Sequence, residues 1–184
     1  AQQKKSLEIL KNIEDELETK NIFLINEKEL SEDQRVFVSD YFNQHVSPVL
    51  MTIILNDLAD FPTLKDTAAY LAVKMTMTDE DQKPKTLVPL RRKKDNRYAI
   101  IEIPKSIDRF VVLPNEGEKQ YIIMLDDIIR FNLDKVFSMF SYTKISAHMI
   151  KITRDAELDM DNDLSKSFIE KIYLITDTKY EQFS

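Results

Sequence analysis

Between residues 83 and 97 the sequence sets seven cations, Lys83, Lys85, Arg91, Arg92, Lys93, Lys94 and Arg97, against one acid, Asp95. That is a local charge of +6 in a chain whose formal net charge is −6. Pro84 and Pro89 deny the segment a continuous helix, so its cations are expected on a loop or hairpin. Flexible cations on a loop reach phosphate oxygens without reading base edges. Arg91, Arg92, Lys93, Lys94 and Arg97 are therefore the candidate contacts for a polyanion, and a solvated, solubilising turn is the plain alternative. A second pattern lies near the end of the chain. Asp159, Asp161, Asp163, Ser165, Ser167 and Glu170 follow the ligand spacing of a calcium loop, which suits a hard cation. The pattern fails where Leu164 takes the place of the turn glycine, since a branched residue is strained at positive φ. The same acids serve equally as the N-terminal turn of a helix, where carboxylates complement free N–H groups. His45 and His148 stand alone, without cysteines or H-x-x-x-H spacing, and read as structural side chains with no zinc set.

Composition narrows the chemistry further. Gly117 is the single glycine in 184 residues, where average usage of about 7% would give on the order of a dozen. Neither G-x-G-x-x-G, nor the Walker loop, nor the G-x-S-x-G elbow can be written with one glycine. Dinucleotide folds, P-loop ATPases and α/β-hydrolases are excluded on that ground. Zero cysteines remove disulfides and thiol chemistry. An acidic balance argues against nucleic acid as a partner. No apolar run approaches the ~20 residues of a membrane span, and no secretory h-region opens the sequence.

The elements that position these groups follow from periodicity. Leu7, Leu10, Ile13 and Leu17 lay a narrow apolar stripe on a helix over residues 2–20. Ser31 and Gln34 form a capping-box start for a second helix, running to about Val46 with Val38, Tyr41, Phe42 and His45 on its core face. Pro48 ends it. The period then changes to two, and Leu71, Val73, Met75 and Met77 alternate with Tyr70, Ala72, Lys74 and Thr76 as in a half-buried strand. Residues 98–103, 109–113 and 120–124 read likewise, separated by turn formers that suggest a meander. Helical spacing returns over 125–139, a strand follows over 145–153, and a last helix carries Leu164, Phe168, Ile172 and Ile175. The order predicts an α+β fold: a mostly antiparallel or mixed sheet packed against helices, with two N-terminal helices, in one domain over 1–184.

Three stretches carry a resemblance. They are Ile103-Pro104 with Arg109-Phe110-Val111-Val112-Leu113-Pro114, then Leu125-Asp126-Asp127-Ile128-Ile129, then Thr153-Arg154-Asp155-Ala156-Glu157-Leu158. With Tyr41-Phe42, Pro48-Val49-Leu50 and Phe61-Pro62 upstream, the ordered set resembles the middle, or head, domain of bacterial polyphosphate kinases across roughly residues 30–176. Asp126 stands where that family usually has Glu, and Ser138-Met139 where it has Pro-Gly.

The resemblance implies one domain of a larger, cytoplasmic, dimeric phosphotransferase. The whole enzyme of that family moves the terminal phosphoryl of ATP onto polyphosphate through a phosphohistidine, with Mg²⁺. Its nucleotide contacts and its phosphorylated histidine lie in other domains. This chain is then expected to be inactive alone, to carry no catalytic residue, metal or cofactor of its own, and to help form the homodimer and frame the polyphosphate tunnel. Its partners would be the remaining domains, a second copy and polyphosphate. Arg130 and Phe131, off the buried stripe of their helix, are the interface candidates. A free-standing protein-interaction or calcium-binding module is the alternative.

Overall fold

The computed structural model describes residues 2–56, 62, 64–65, 67–78 and 96–151. Lys83 to Lys94, the calcium-like spacing over 159–170, and the final helix lie outside the described residues. The chain forms two compact units, residues 1–48 with 105–132, and residues 49–104 with 133–184.

The first unit begins with α1, Gln2–Glu18. Asn21 then adopts φ 57°, a left-handed conformation that asparagine tolerates at a helix end, and turns the chain into β1, Ile22–Ile25. The loop that follows is built by its own side chains: Asn26 Oδ1 accepts from Lys28 N–H at 2.9 Å, and Glu29 Oε2 accepts from Asn26 N–H at 2.9 Å. Ser31 caps α2, Glu32–Tyr41, as the sequence predicts, with Ser31 and Gln34 closing a reciprocal capping box.

From Phe42 to Val46 the helix widens into a π turn. That widening resets the buried stripe. Gln34, Val38 and Phe42 follow α-helical spacing, and the wider turn brings Val46 rather than His45 onto the same buried face. His45, expected on the core face, is exposed and packs against the Tyr41 ring at 4.8 Å.

The same unit holds β5, Phe110–Val112, and β6, Gln120–Met124, joined by a hairpin whose turn residue Gly117 has φ 64°. The sheet order is β1-β6-β5, with β1 parallel and β5 antiparallel to β6. Strand β6 runs directly into α3, Leu125–Phe131, and Leu125, Ile128 and Ile129 are fully buried. The helix expected over 125–139 breaks at Asn132, whose side-chain amide donates to the Ile128 carbonyl at 2.9 Å. Such a bond to the preceding turn competes with helix propagation.

The second unit is a four-stranded antiparallel sheet of order β2-β4-β3-β7, from β2, Met51–Ile54, β3, Ala69–Met77, β4, Asn96–Glu102, and β7, Tyr142–Lys151. Leu71, Val73, Met75 and Met77 are buried on one face as the alternation requires. Strand β3 is central, however, so Tyr70 and Ala72 on the other face are buried too, in a cluster with Leu55, Leu64, Ala68, Tyr98, Ile100 and Ile150. A short helix α4, Leu133–Val136, precedes β7.

The expected meander is therefore divided: β3 and β4 pair in one sheet, β5 and β6 in the other. Pro104 lies where the chain leaves the β4 ladder, and proline has no N–H with which to extend a ladder. Helices with mixed and antiparallel sheets make the class α+β, as predicted. Among the described residues no helix is long and apolar enough to cross a membrane.

Candidate functional site

The densest polar cluster of the first unit sits at the start of α3. Asp126 and Asp127 occupy its first turn, where carboxylates complement the helix N-terminus, yet both are buried, at 5% and 9% exposure. Burial of adjacent carboxylates requires counter-charge. Arg130, one turn along the helix, supplies it at two spacings: its guanidinium meets Asp126 Oδ2 at 3.1 Å and hydrogen-bonds Asp127 Oδ1. Arg109, just before β5, approaches Asp126 Oδ1 at 3.3 Å as a charge, for that oxygen accepts no hydrogen bond. The backbone doubles this link, since Leu125 N–H donates to the Arg109 carbonyl at 2.9 Å. From the β1–α2 loop, Glu27 comes near enough to the Asp127 carboxyl to bear on its protonation.

Burial is the main cause that pushes the Asp127 carboxyl up to about 7. Arg130 pulls it down, while Asp126 and Glu27 push it further up. Chemically the cluster is an ion-pair clamp that ties Arg109, at the start of β5, to the first turn of α3. Among the described residues no group of three or more His, Cys, Asp or Glu could hold a metal ion.

The residues singled out by sequence are dispersed. Arg91, Arg92, Lys93 and Lys94 lie outside the described residues. Arg97 is on strand β4 rather than on a loop, opposite Met75, with its guanidinium 5.2 Å from the centre of the Phe140 ring. Of the loop or hairpin expected for the basic cluster, Arg97 takes a strand position, where ladder pairing and an aromatic contact hold it. Arg130 and Phe131 are half-buried rather than exposed. Arg130 serves the clamp, and Phe131 lies 5.9 Å beneath the Arg35 guanidinium. In this unit the described large apolar side chains that are exposed include Phe110 and Val112 on the edge strand β5. His148, on β7, is half-buried opposite Ala72.

Residues 33–175 match the family model for the polyphosphate kinase middle domain. The chain belongs to the polyphosphate kinase family. Across 162 residues it is 37% identical to the polyphosphate kinase of Vibrio cholerae and 35% identical to that of Vibrio parahaemolyticus, covering 85% of this chain and 21% of each relative. Identity with the polyphosphate kinase of Escherichia coli is 36%, covering 84% of this chain and 21% of the relative. The chain thus spans about a fifth of the length of the curated relatives it matches. The crystal structure of polyphosphate kinase from Porphyromonas gingivalis has the same fold, with a TM-score of 0.63 at 23% identity, over 88% of this chain and 24% of that one.

As a polyphosphate kinase middle domain, the chain gives its sequence motifs a physical reading. Arg109 opens the R-F-V-V-L-P stretch and Asp126 lies in L-D-D-I-I, and the clamp brings the two together. Sequence reasoning used both as resemblance and missed their contact. The signal open to it was the spacing of Asp126 and Asp127 four and three residues before Arg130. Nothing local announced Arg109 or Glu27.

Proposed function

We propose that this chain acts as one functional domain of a polyphosphate kinase, providing contacts between two copies and framing the path of the polyphosphate chain. Phosphoryl transfer, with its ATP, Mg²⁺ and phosphorylated histidine, belongs to the remaining domains of the enzyme, in the bacterial cytoplasm. The observation that carries this reading is the match of residues 33–175 to the middle domain of the family.

Arg91, Arg92, Lys93 and Lys94 are the phosphate-facing cations of this reading, because a run of four adjacent charges suits a repeating anion. Arg97 supports them from the sheet, anchored on Phe140. For contact between copies, Phe110 and Val112 join Arg130 and Phe131 as candidates, since both stand about half exposed on an edge strand, at 55% and 52%.

Three measurements test the proposal. The chain supplied with ATP and Mg²⁺ should form no polyphosphate, and turnover by the chain alone would overturn the division of labour. In the whole enzyme, alanine at residues 91–94 together should raise the KM for polyphosphate severalfold while Arg97→Ala changes it less. An unchanged KM would discard the phosphate-facing role. Light scattering of the chain should show self-association that Phe110→Ser with Val112→Ser weakens, and a monomer at all concentrations would remove the contact role.

A further inference from the structure

We propose that the polar half of one face of the four-stranded sheet, formed by Lys74, Thr76, Lys144 and Ser146, binds the phosphate groups of polyphosphate as the fixed continuation of the cations at residues 91–94. The inference deepens the phosphate-facing reading above and rests on it.

Register places these side chains together. In the antiparallel ladders Lys74 lies opposite Tyr98 and Ser146, and Thr76 lies opposite Asn96 and Lys144. Opposed residues share a face, and so do residues two apart on one strand, so all six stand on one side of the sheet. Lys74 and Lys144 are diagonal neighbours there, with backbones about 7–8 Å apart, and Thr76 and Ser146 fill the other two corners.

The character of that face changes along the strands. Toward one end Tyr70, Ala72, Ile100 and Ile150 are buried in the cluster with Leu55, Leu64 and Ala68. Toward the other end Lys74, Thr76, Asn96 and Ser146 are half-buried and Lys144 is exposed. Two ammonium groups brought onto one face repel, and an anion seated between them relieves that repulsion. Of the described acids in this unit, Glu102 lies at the apolar end and pairs with Lys65 at 3.1 Å, while Asp134 accepts from the Tyr142 hydroxyl at 2.7 Å.

The donor set selects the ligand. Each ammonium carries three donors and each hydroxyl one, which suits phosphoryl oxygens and reads nothing else. Single-stranded nucleic acid would need an aromatic platform for its bases, and Tyr98, the aromatic side chain in these rows, is buried.

Connectivity joins this patch to the basic run. The chain leaves this end of the sheet at Met77 and returns at Asn96, and Arg91, Arg92, Lys93 and Lys94 stand two to five positions before that return. With Lys83 and Lys85 they set six cations against Asp79, Glu80, Asp81 and Asp95 over residues 78–95. Lys74 and Lys144 add two more positive charges at the same sheet end.

The experiment is calorimetric titration of this chain with polyphosphate of one defined length across a range of salt, with orthophosphate and an oligothymidylate of equal charge as comparison anions. Lys74→Gln with Lys144→Gln should weaken polyphosphate binding by about tenfold and lower the slope of log K against log salt by roughly 1.5. Lys20→Gln with Lys28→Gln, the same change of charge in the other unit, should leave both nearly unchanged. In the wild type the amide resonances of Thr76 and Ser146 should shift as polyphosphate is added. Unaltered binding in the first variant, an equal loss in the second, or equal affinity for orthophosphate or the oligothymidylate would each overturn the sheet site. Binding that is lost only when residues 91–94 become alanine strikes the sheet site and leaves the earlier reading standing, whereas a wild type that ignores polyphosphate strikes both. Should the variant fail to fold, the wild-type resonances decide, and shifts that bypass Thr76 and Ser146 overturn the proposal.

Discussion

Removing Arg130 is the sharpest test of the clamp. The Arg130 guanidinium is 20% exposed and serves both carboxylates, whose side chains are 7% and 12% exposed. The Arg109 side chain is 39% exposed and approaches Asp126. Arg130→Leu would keep the helix and much of the packing volume but strand two buried acids. Burial pushes the Asp127 carboxyl up to about 7, and losing Arg130, which pulls it down, raises it further, so the stranded charge is mainly Asp126. Loss of one partner from a buried ion pair costs about 3–5 kcal/mol, and the remaining 3.3 Å approach of Arg109 sets the expectation at the low end, ~3 kcal/mol.

Arg109→Leu leaves Asp126 its partner Arg130 and removes a half-exposed charge, so it should cost ~1 kcal/mol or less. Urea unfolding of the chain at pH 8, followed by circular dichroism, separates the two. At a slope of about 2 kcal/mol/M, Arg130→Leu should lower the midpoint by roughly 1.5 M and Arg109→Leu by about 0.5 M or less. At pH 5 the Arg130→Leu deficit should shrink, because stranded carboxyls take up protons there. Equal midpoints for the two variants, or a deficit under ~1 kcal/mol for Arg130→Leu at pH 8, would refute the reasoning.

Three further outcomes are expected. Ser31→Ala removes the acceptor for Gln34 N–H and half of the capping box, and should destabilise the chain by about 1 kcal/mol in the same urea assay. Leu71→Ala, at a fully buried position of the central strand β3, should cost about 2–5 kcal/mol, whereas Met139→Ala at 80% exposure should stay within ~0.5 kcal/mol. For Gly117→Ala nothing lies within 4 Å of the added Cβ, so the φ of 64° alone sets a cost of about 1 kcal/mol, and an asparagine there should recover part of it.

Elements governed by short-range rules were legible in the sequence. The Ser31–Gln34 box, the alternation from Tyr70 to Met77, and the turn ending at Gly117 each depend on residues within a few positions of one another. What stayed hidden depends on neighbours from elsewhere in the chain. His45 left the core face because the backbone widened at Phe42–Val46, and Asn132 broke a helix that apolar spacing alone would have continued. The division into two sheets could not be read from strand periods, which say which face is buried but not which strand is the partner. The clamp was half visible, in Asp126, Asp127 and Arg130, and half tertiary, in Arg109. For Arg97 the charge pattern left loop and hairpin open, and only the β3–β4 pairing places it on a strand.

The parallel pairing of β1 with β6 has a consequence for biosynthesis. Ile22 meets Gln120, so an apolar strand emerges from the ribosome about 100 residues before its ladder partner. Until then Ile22-Phe23-Leu24-Ile25 is an unpaired, uncharged edge, the kind of segment that seeks foreign strands. Early termination anywhere before β6 would leave that edge permanently open. The flanking residues Lys20, Glu27, Lys28 and Glu29 then read as gatekeepers, charges that keep a waiting strand in solution until its partner arrives.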